Sequence, residues 1–346
     1  MTKKLHAILL GILCQSLPLF GQEKPDRFPE PGAREENYRM RVTARVVDEA
    51  GKPMAGVSVR IGIHNVNDFI DEYNDFRGKT DEEGKFSAEA IGRALAKIEV
   101  KEEGYYPSLK TVTCYEGRAE DIRKTGKYLP WDPTIDVMIK KIGKPIPMIV
   151  RLASGGADSW LKPRADQLEK KLGWDLVVGD WVAPEGKGTM ADLILRFESS
   201  YSDESNKSAT VNISFANADD GFVTVKELKG EESRLKYPRE APFRGYENKN
   251  IELVTKVFED WAKSKTRPKA YLLRVRTQKD PTGNIVSALY GKITEPFKLY
   301  PPAVRYRLPV LNFDYYLNPT PNDRNLEYDQ RTNLAPEADR GLTWPP

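Results

Sequence analysis

The sequence predicts an all-β protein of two β-sandwich domains with few short helices, on three observations. Runs rich in Val, Ile, Thr and Tyr recur from Tyr38 onward, and Gly-, Asp- and Pro-bearing turns break them about every ten residues. Within those runs apolar residues alternate with polar ones, the period of a half-buried strand. A chain of 346 residues is also longer than one hydrophobic core usually organises, so two cores are expected.

The first segment reads as an address. Lys3 and Lys4 precede an apolar run from Ala7 to Phe20, the layout of a secretory signal peptide over residues 1–21. The run is shorter than the roughly 20 residues of a spanning helix, and no later stretch is as long, so an exported chain without stable membrane insertion is expected, periplasmic or extracellular. Leu13 stands before Cys14 where a lipoprotein signal carries a small residue, which argues against a lipid anchor. Residues 22–37 are charged and Pro-rich and are expected to be flexible. Residues 1–21 take two lysines and no acid with them, so the formal charge falls from +3 to +1. That balance excludes wrapping of nucleic acid, which needs clustered Lys and Arg.

The first domain is expected over 38–151. Met40 to Asp48 forms a strand, Glu49 to Pro53 turns it, and Val57, Val59 and Ile61 share one face of the return. Asp81-Glu-Glu-Gly84 makes a second tight turn before Phe86, Ala88 and Ala90. Lys97 to Val100 and Ile135 to Ile139 supply further strands, with a bend at Gly104-Tyr-Tyr-Pro107. Arg45-Val-Val-Asp48, Gly51-Lys-Pro53, Gly56-Val-Ser-Val59, Thr80-Asp81, Gly84-Lys-Phe86 and Gly104-Tyr105 together resemble a carboxypeptidase regulatory-like domain. The resemblance implies a transthyretin-like, Ig-like sandwich that serves as a rigid appendage. Transthyretin-like hydroxyisourate hydrolases use more than one His, so the resemblance does not extend to that activity. An insertion, His64 to Phe76, departs from the short pattern and brings Asp68, Asp71, Glu72 and Asp75 to one end of the sandwich.

A linker is expected at 152–162, around Ala153-Ser-Gly-Gly-Ala-Asp158, followed by a short helix from Pro163 to Leu172. The second β-rich domain then runs over 163–330, with a tail at 331–346. Leu176-Val-Val178, Asp192–Phe197 and Thr210–Phe215 read as strands, and Asp219-Asp-Gly221 as a hairpin turn. Tyr271–Arg276 and Ile285–Tyr290 pair across the turn Asp280-Pro-Thr-Gly-Asn284. Gly179-Asp-Trp-Val-Ala-Pro184, Arg274-Val-Arg276, Ala288-Leu-Tyr-Gly-Lys-Ile293 and Tyr315 to Asn325 resemble an uncharacterised family of exported bacterial proteins. By that resemblance Ile251 to Trp261, which fits both periods, is expected to be extended.

The inventory points away from an enzyme and calls for no cofactor. His64 is the one imidazole left after the signal peptide, so a Ser/His/Asp set or a zinc site built on several His is not supplied, and His64 is expected to end a strand. Cys114 has no partner for a disulfide and is expected to be buried. With 51 acids a carboxylate pair carries little information. Asp219, Asp220 and the acids of the insertion match no calcium loop and are expected to be solvated. Gly186-Lys-Gly188 lacks the spacing and the helix of a phosphate loop.

One cluster remains. Tyr300, Tyr306, Phe313, Tyr315 and Tyr316 lead to Asn318-Pro-Thr-Pro-Asn-Asp-Arg-Asn325 and Tyr328. Rings beside Asn, Asp and Arg suit a sugar-binding surface, and equally a last strand with a self-bonded loop. The candidate residues are Tyr315, Tyr316, Asn322, Arg324 and Asn325, as ligand contacts or as a staple in which the Arg324 fork holds the loop. The chain is expected to be a non-catalytic binding or structural protein, or alternatively a glycan-binding or glycan-processing one through its C-terminal domain, with a protein or a glycan as partner.

Overall fold

The computed structural model describes residues 38–65, 73–116, 118–152, 161–256, 268–304 and 307–336. The signal peptide, Cys14, the segment 22–37, Asp68, Asp71, Glu72, most of the expected linker, Trp261, Tyr306 and residues 337–346 lie outside them. The fold is all-β.

The first sandwich holds β1 (Tyr38–Val47), β2 (Ser58–His64), β3 (Tyr73–Lys79), β4 (Lys85–Gly92), β5 (Leu95–Val100), β6 (Tyr105–Tyr106), β7 (Ser108–Thr113), helix α1 (Ala119–Thr125), β8 (Thr134–Met138) and β9 (Lys140–Lys141). A three-stranded sheet in the order β4-β1-β8 faces a four-stranded sheet in the order β3-β2-β5-β7. Alternation decides what lies between them: Met40, Val42, Ala44 and Val46 from β1 meet Val59, Ile61 and Ile63 from β2 and Ala96, Ile98 and Val100 from β5. Burying each larger aliphatic side chain contributes about 1.5–3 kcal/mol. The turns share one chemistry. Asp48, Asp81 and Asp280 each open an Asp-x-x-Gly sequence, and one carboxylate oxygen accepts the N–H groups two and four residues on at 2.7–3.0 Å. Gly84 closes its turn at φ +74°, where a side chain would be strained and a Cβ would lie 2.9 Å from the Val46 carbonyl.

The second sandwich holds β10 (Ile146–Arg151), β11 (Lys171–Asp175), β12 (Asp180–Trp181), β13 (Leu193–Asp203), β14 (Asn206–Phe215), β15 (Gly221–Val225), β16 (Ile251–Lys256), β17 (Ala270–Lys279), β18 (Ile285–Tyr300), β19 (Val310–Asn318) and β20 (Tyr328–Asn333). A five-stranded sheet, β12-β11-β13-β14-β16, packs on a six-stranded sheet, β15-β17-β18-β19-β10-β20. Trp174, Leu195, Phe197 and Ile213 meet Val275, Ile293, Phe313 and Tyr315 between them. The outer face of the six-stranded sheet is covered as well, by a cluster containing Val150, Leu272, Tyr290, Tyr316, Leu326 and Tyr328. That double cover is why β19 is buried at almost every position.

Several local expectations are corrected. β10 pairs with β19 and β20, so the chain enters the second sandwich at 142–145 and not through the linker expected at 152–162. A strand buried on both faces carries no mark of the sheet it joins. The helix expected over Pro163–Leu172 is a three-residue 3-10 turn, Ala165–Gln167, because Lys171 and Leu172 pair with β13. Leu176–Val178 forms a turn after β11, closed by Asp175 accepting the N–H groups of Val177 and Val178. Asp219-Asp-Gly221 links β14 and β15, which lie in different sheets, and is not a hairpin. The tail expected from 331 starts later, since Asn333 exchanges two hydrogen bonds of 3.0 Å with Val150. Ile251–Lys256 is a strand against β14.

Candidate functional site

The predicted aromatic cluster is core. Tyr315 faces the space between the sheets, 1% exposed, with its hydroxyl donating to the Leu176 carbonyl at 2.9 Å. Tyr316 faces the opposite side, 2% exposed, its ring 5.4 Å from that of Tyr328 and 5.1 Å from the Lys292 ammonium. Neither ring offers a face to a sugar, so the surface drawn from Tyr315 and Tyr316 is corrected to packing. The loop after β19 holds itself. Buried Asn318 donates to the carbonyls of Asp323 and Asn325, both at 3.0 Å. Asn322, at φ +62°, accepts from the Ala288 N–H at 3.1 Å and donates to the Val286 carbonyl at 2.8 Å. Asn325 donates to the Lys144 carbonyl at 2.7 Å. Arg324 donates to the Ala241 carbonyl at 3.0 Å and pairs with Glu240, the bonds of a staple.

Two buried charge centres had no signature in the sequence. In the first, Arg276 sits at φ +56° in an irregular stretch of β17 and donates to Asp175 at 2.7 Å and to Asp192 at 2.9 and 3.1 Å. Asp175 also accepts backbone N–H groups from Thr189 at 3.0 Å and Met190 at 3.1 Å. Burial acts to raise the Asp175 carboxyl, but the N–H groups of Val178, Thr189 and Met190 together with Arg276 outweigh it and hold it below the usual range. Asp192 is raised, because burial outweighs Arg276 there. Asp220, expected to be solvated, is 3% exposed and accepts the N–H groups of Arg276 and Thr277 at 3.0 and 2.9 Å. These oxygens are spent on the chain itself. The centre ties β11 and the loop before β13 to β17, and its members are too far apart in sequence to read as a group.

The second centre joins the sandwiches. Glu327, fully buried, accepts from the Tyr106 hydroxyl and from the N–H groups of Gly143 and Lys144, each at 2.8 Å. Lys140 donates to the Leu235 carbonyl at 2.8 Å, and Lys292 to the Leu326 carbonyl at 2.8 Å. Burial lowers both lysines, Lys292 to about 7. A Cβ on Gly143 would come within 2.5 Å of a Glu327 oxygen, so the contact is close-packed.

A cavity of about 560 Å³ opens beside the stapled loop, lined by Phe243, Arg244, Tyr246, Arg274, Lys279 and Arg324 with Asn322 at its edge. The segment that walls it is pinned at both ends: the Ala241 N–H donates to the Arg324 carbonyl at 2.8 Å, and Glu247 exchanges backbone bonds of 3.0 and 3.1 Å with Phe222. Its lining has four cations and no carboxylate. Lys279 is paired with Asp219 and Arg324 with Glu240, both outside the lining, whereas Arg244 and Arg274 form no ion pair among the described residues. The Arg274 guanidinium lies 4.7 Å from the Tyr246 ring centroid, and Arg274 Nε and the Tyr246 hydroxyl are buried without a hydrogen-bond partner on the chain. Phe243 is 62% exposed at the rim. Of the sequence candidates, Asn322 and Arg324 reach this cavity, Asn325 does not line it, and the tyrosines are beneath the sheet surface.

The remaining candidates fall to structural roles. His64 ends β2, buried, its ring 5.1 Å from that of Tyr73. Cys114 is buried and its thiol is pushed up to about 11. Asp75 pairs with Arg60 at 2.9 Å. In Gly186-Lys-Gly188 the N–H groups of Lys187 and Gly188 are taken by Asp180 and the Trp181 carbonyl. Among the described residues no cluster of His, Cys, Asp or Glu has the arrangement of a metal site.

No family model matches the chain, and no curated protein does. Solved structures give partial likenesses. A 3-chlorocatechol 1,2-dioxygenase from Rhodococcus opacus is 15% identical over 30% of this chain and 61% of that one, with a TM-score of 0.23. A chlorocatechol 1,2-dioxygenase from Pseudomonas putida is 13% identical over 31% and 62%, at 0.24. The catechol 1,2-dioxygenase of Acinetobacter radioresistens is 14% identical over 32% and 55%, also at 0.24. The chain thus spans less than two thirds of these enzymes, and likenesses of that score carry no argument.

Proposed function

We propose that this is an exported, non-catalytic binding protein, in which a regulatory-like sandwich is fixed to a second sandwich that receives an anionic ligand. The observation that carries the reading is the cavity beside Arg324: four cations line it with no carboxylate, and two of them, Arg244 and Arg274, are in no ion pair among the described residues. The non-catalytic part rests on the buried carboxylates Asp175, Asp192, Asp220 and Glu327, whose oxygens are engaged by the chain's own donors. Calorimetric titration of the full chain with inorganic sulfate tests the site. Saturable binding that Arg244→Gln weakens about tenfold supports it, and no saturable heat removes its basis. Export is tested by fractionating producing cells and sequencing the mature N-terminus, which is expected near residue 22.

A further inference from the structure

We infer that the ligand of this cavity is an acidic saccharide, bound by its ring on Phe243 and by its oxyanion, a uronate carboxylate or a sulfate ester, on Arg244 and Arg274; this rests on the anion-receptive reading above. The rim carries the argument. Phe243 is large, apolar and 62% exposed, yet it sits on a segment pinned at Ala241 and Glu247, so its exposure belongs to a fixed surface. The guanidinium carbons of Arg244 and Arg324 lie 5.9 and 5.8 Å from its ring centroid. An apolar plane flanked by positive charge matches a ligand that has both an apolar ring face and an anionic substituent. Sulfate or phosphate alone would use the guanidinium groups and leave the ring idle.

The interior fits the rest of a sugar. Tyr246, Asn284 and Asn322 join the cations in its lining, polar side chains of the kind that meet ligand hydroxyls. A cavity of about 560 Å³ is within the small-molecule range and is bounded by the β17–β18 turn at Gly283 and Asn284. A nucleic acid strand is the competing polyanion. It would need a cationic track beyond one cavity, and Lys279 and Arg324, the next cations, are already paired with Asp219 and Glu240.

The test is affinity electrophoresis of the full chain through gels containing polygalacturonate, dextran sulfate, neutral dextran or oligothymidylate. Retardation by polygalacturonate or dextran sulfate, with none by neutral dextran, is expected, and the stronger of the two acidic gels identifies carboxylate or sulfate ester as the anion. Phe243→Ala and Arg244→Gln should each weaken retention about tenfold. Both side chains are exposed and hold no hydrogen bond of the fold, so an unchanged thermal melt certifies the variants. Retention unaffected by Phe243→Ala overturns the saccharide while sulfate binding keeps the anion site. Equal retention by neutral dextran, or tighter retention by oligothymidylate, overturns it too. Loss of sulfate binding as well removes both readings.

Discussion

Between the sheets of the first sandwich lie Met40, Val42, Val59, Ile61, Ile98 and their neighbours, whereas the second sandwich sets Arg276 against Asp175 and Asp192 beside its core and buries Lys292 under its outer face. The first is held by area and shape, which many aliphatic combinations supply. The second adds pairings between residues distant in the chain, and each of these tolerates few alternatives. Buried charges of this kind are not strong evidence for stability in themselves, since well-packed apolar residues often do as well. Their consequence is that removing one partner is costly.

The largest expected effect breaks the second sandwich at that point. Arg276→Ala leaves two buried carboxylates without their cation and should lower unfolding stability by about 3–5 kcal/mol, read from urea melts. Arg276→Lys should recover only part of this, because an ammonium cannot span both acids. A loss below 1 kcal/mol would show that the two sandwiches are held alike. The matching change in the first, Ile98→Ala, should cost about 2–5 kcal/mol through the cavity it leaves. A conservative Ile98→Val should be nearly tolerated, and this tolerance is the sharper contrast with Arg276.

Smaller effects refine the picture. Arg324→Ala should cost about 1–3 kcal/mol, since the Ala241 carbonyl loses its side-chain donor and the loop its tie to Glu240; a thermal melt identical to that of the parent chain would deny the staple. Lys292 provides a dependence on pH. Folding lowers it from 10.5 to about 7, so between those values the unfolded chain holds a proton that the folded chain has released. Stability therefore rises with pH across that window, by about 1 kcal/mol from pH 7 to pH 8. Below 7 both forms carry the proton and the Lys292 contribution is flat. Glu327 and Lys140 act on the same group, so the informative quantity is the difference between the parent and Lys292→Met, whose slope over this window should be reduced.

The first sandwich was legible because its alternation survives: the inward positions of β1, β2 and β5 are buried, while exposed or half-buried positions mark the other face along β5 and much of β1. The Asp-x-x-Gly turns were legible for a local reason, a carboxylate that bonds its own next residues. β10 and β19 were not, because strands covered on both faces lose the period that tells which side is which. The same cause made Tyr315 and Tyr316 resemble a binding surface, when adjacent residues simply point to opposite covered faces. The Arg276 centre gathers Asp175, Asp192 and Asp220 across about a hundred positions, and a spacing of that length carries no pattern. Asn322 and Arg324 stood out in the sequence for their loop chemistry, and both line the cavity that the rings beside them do not reach. The wall that completes the cavity, Pro242-Phe-Arg-Gly-Tyr246, shows its signal only as an aromatic–basic alternation in a turn-rich stretch.

The position of β10 imposes an order of events on a chain made from its N-terminus. Every strand of the first sandwich exists once Lys141 has been synthesised, and its sheets can close at that moment. β10 follows almost at once, yet its neighbours β19 and β20 begin at Val310 and Tyr328. For the intervening synthesis this apolar strand waits with both edges unsatisfied, tethered to a finished domain, and open edges of that kind invite pairing with other chains. A truncation anywhere between Arg151 and Val310 would therefore leave a folded first sandwich carrying an adhesive strand, a species more prone to aggregate than either sandwich complete.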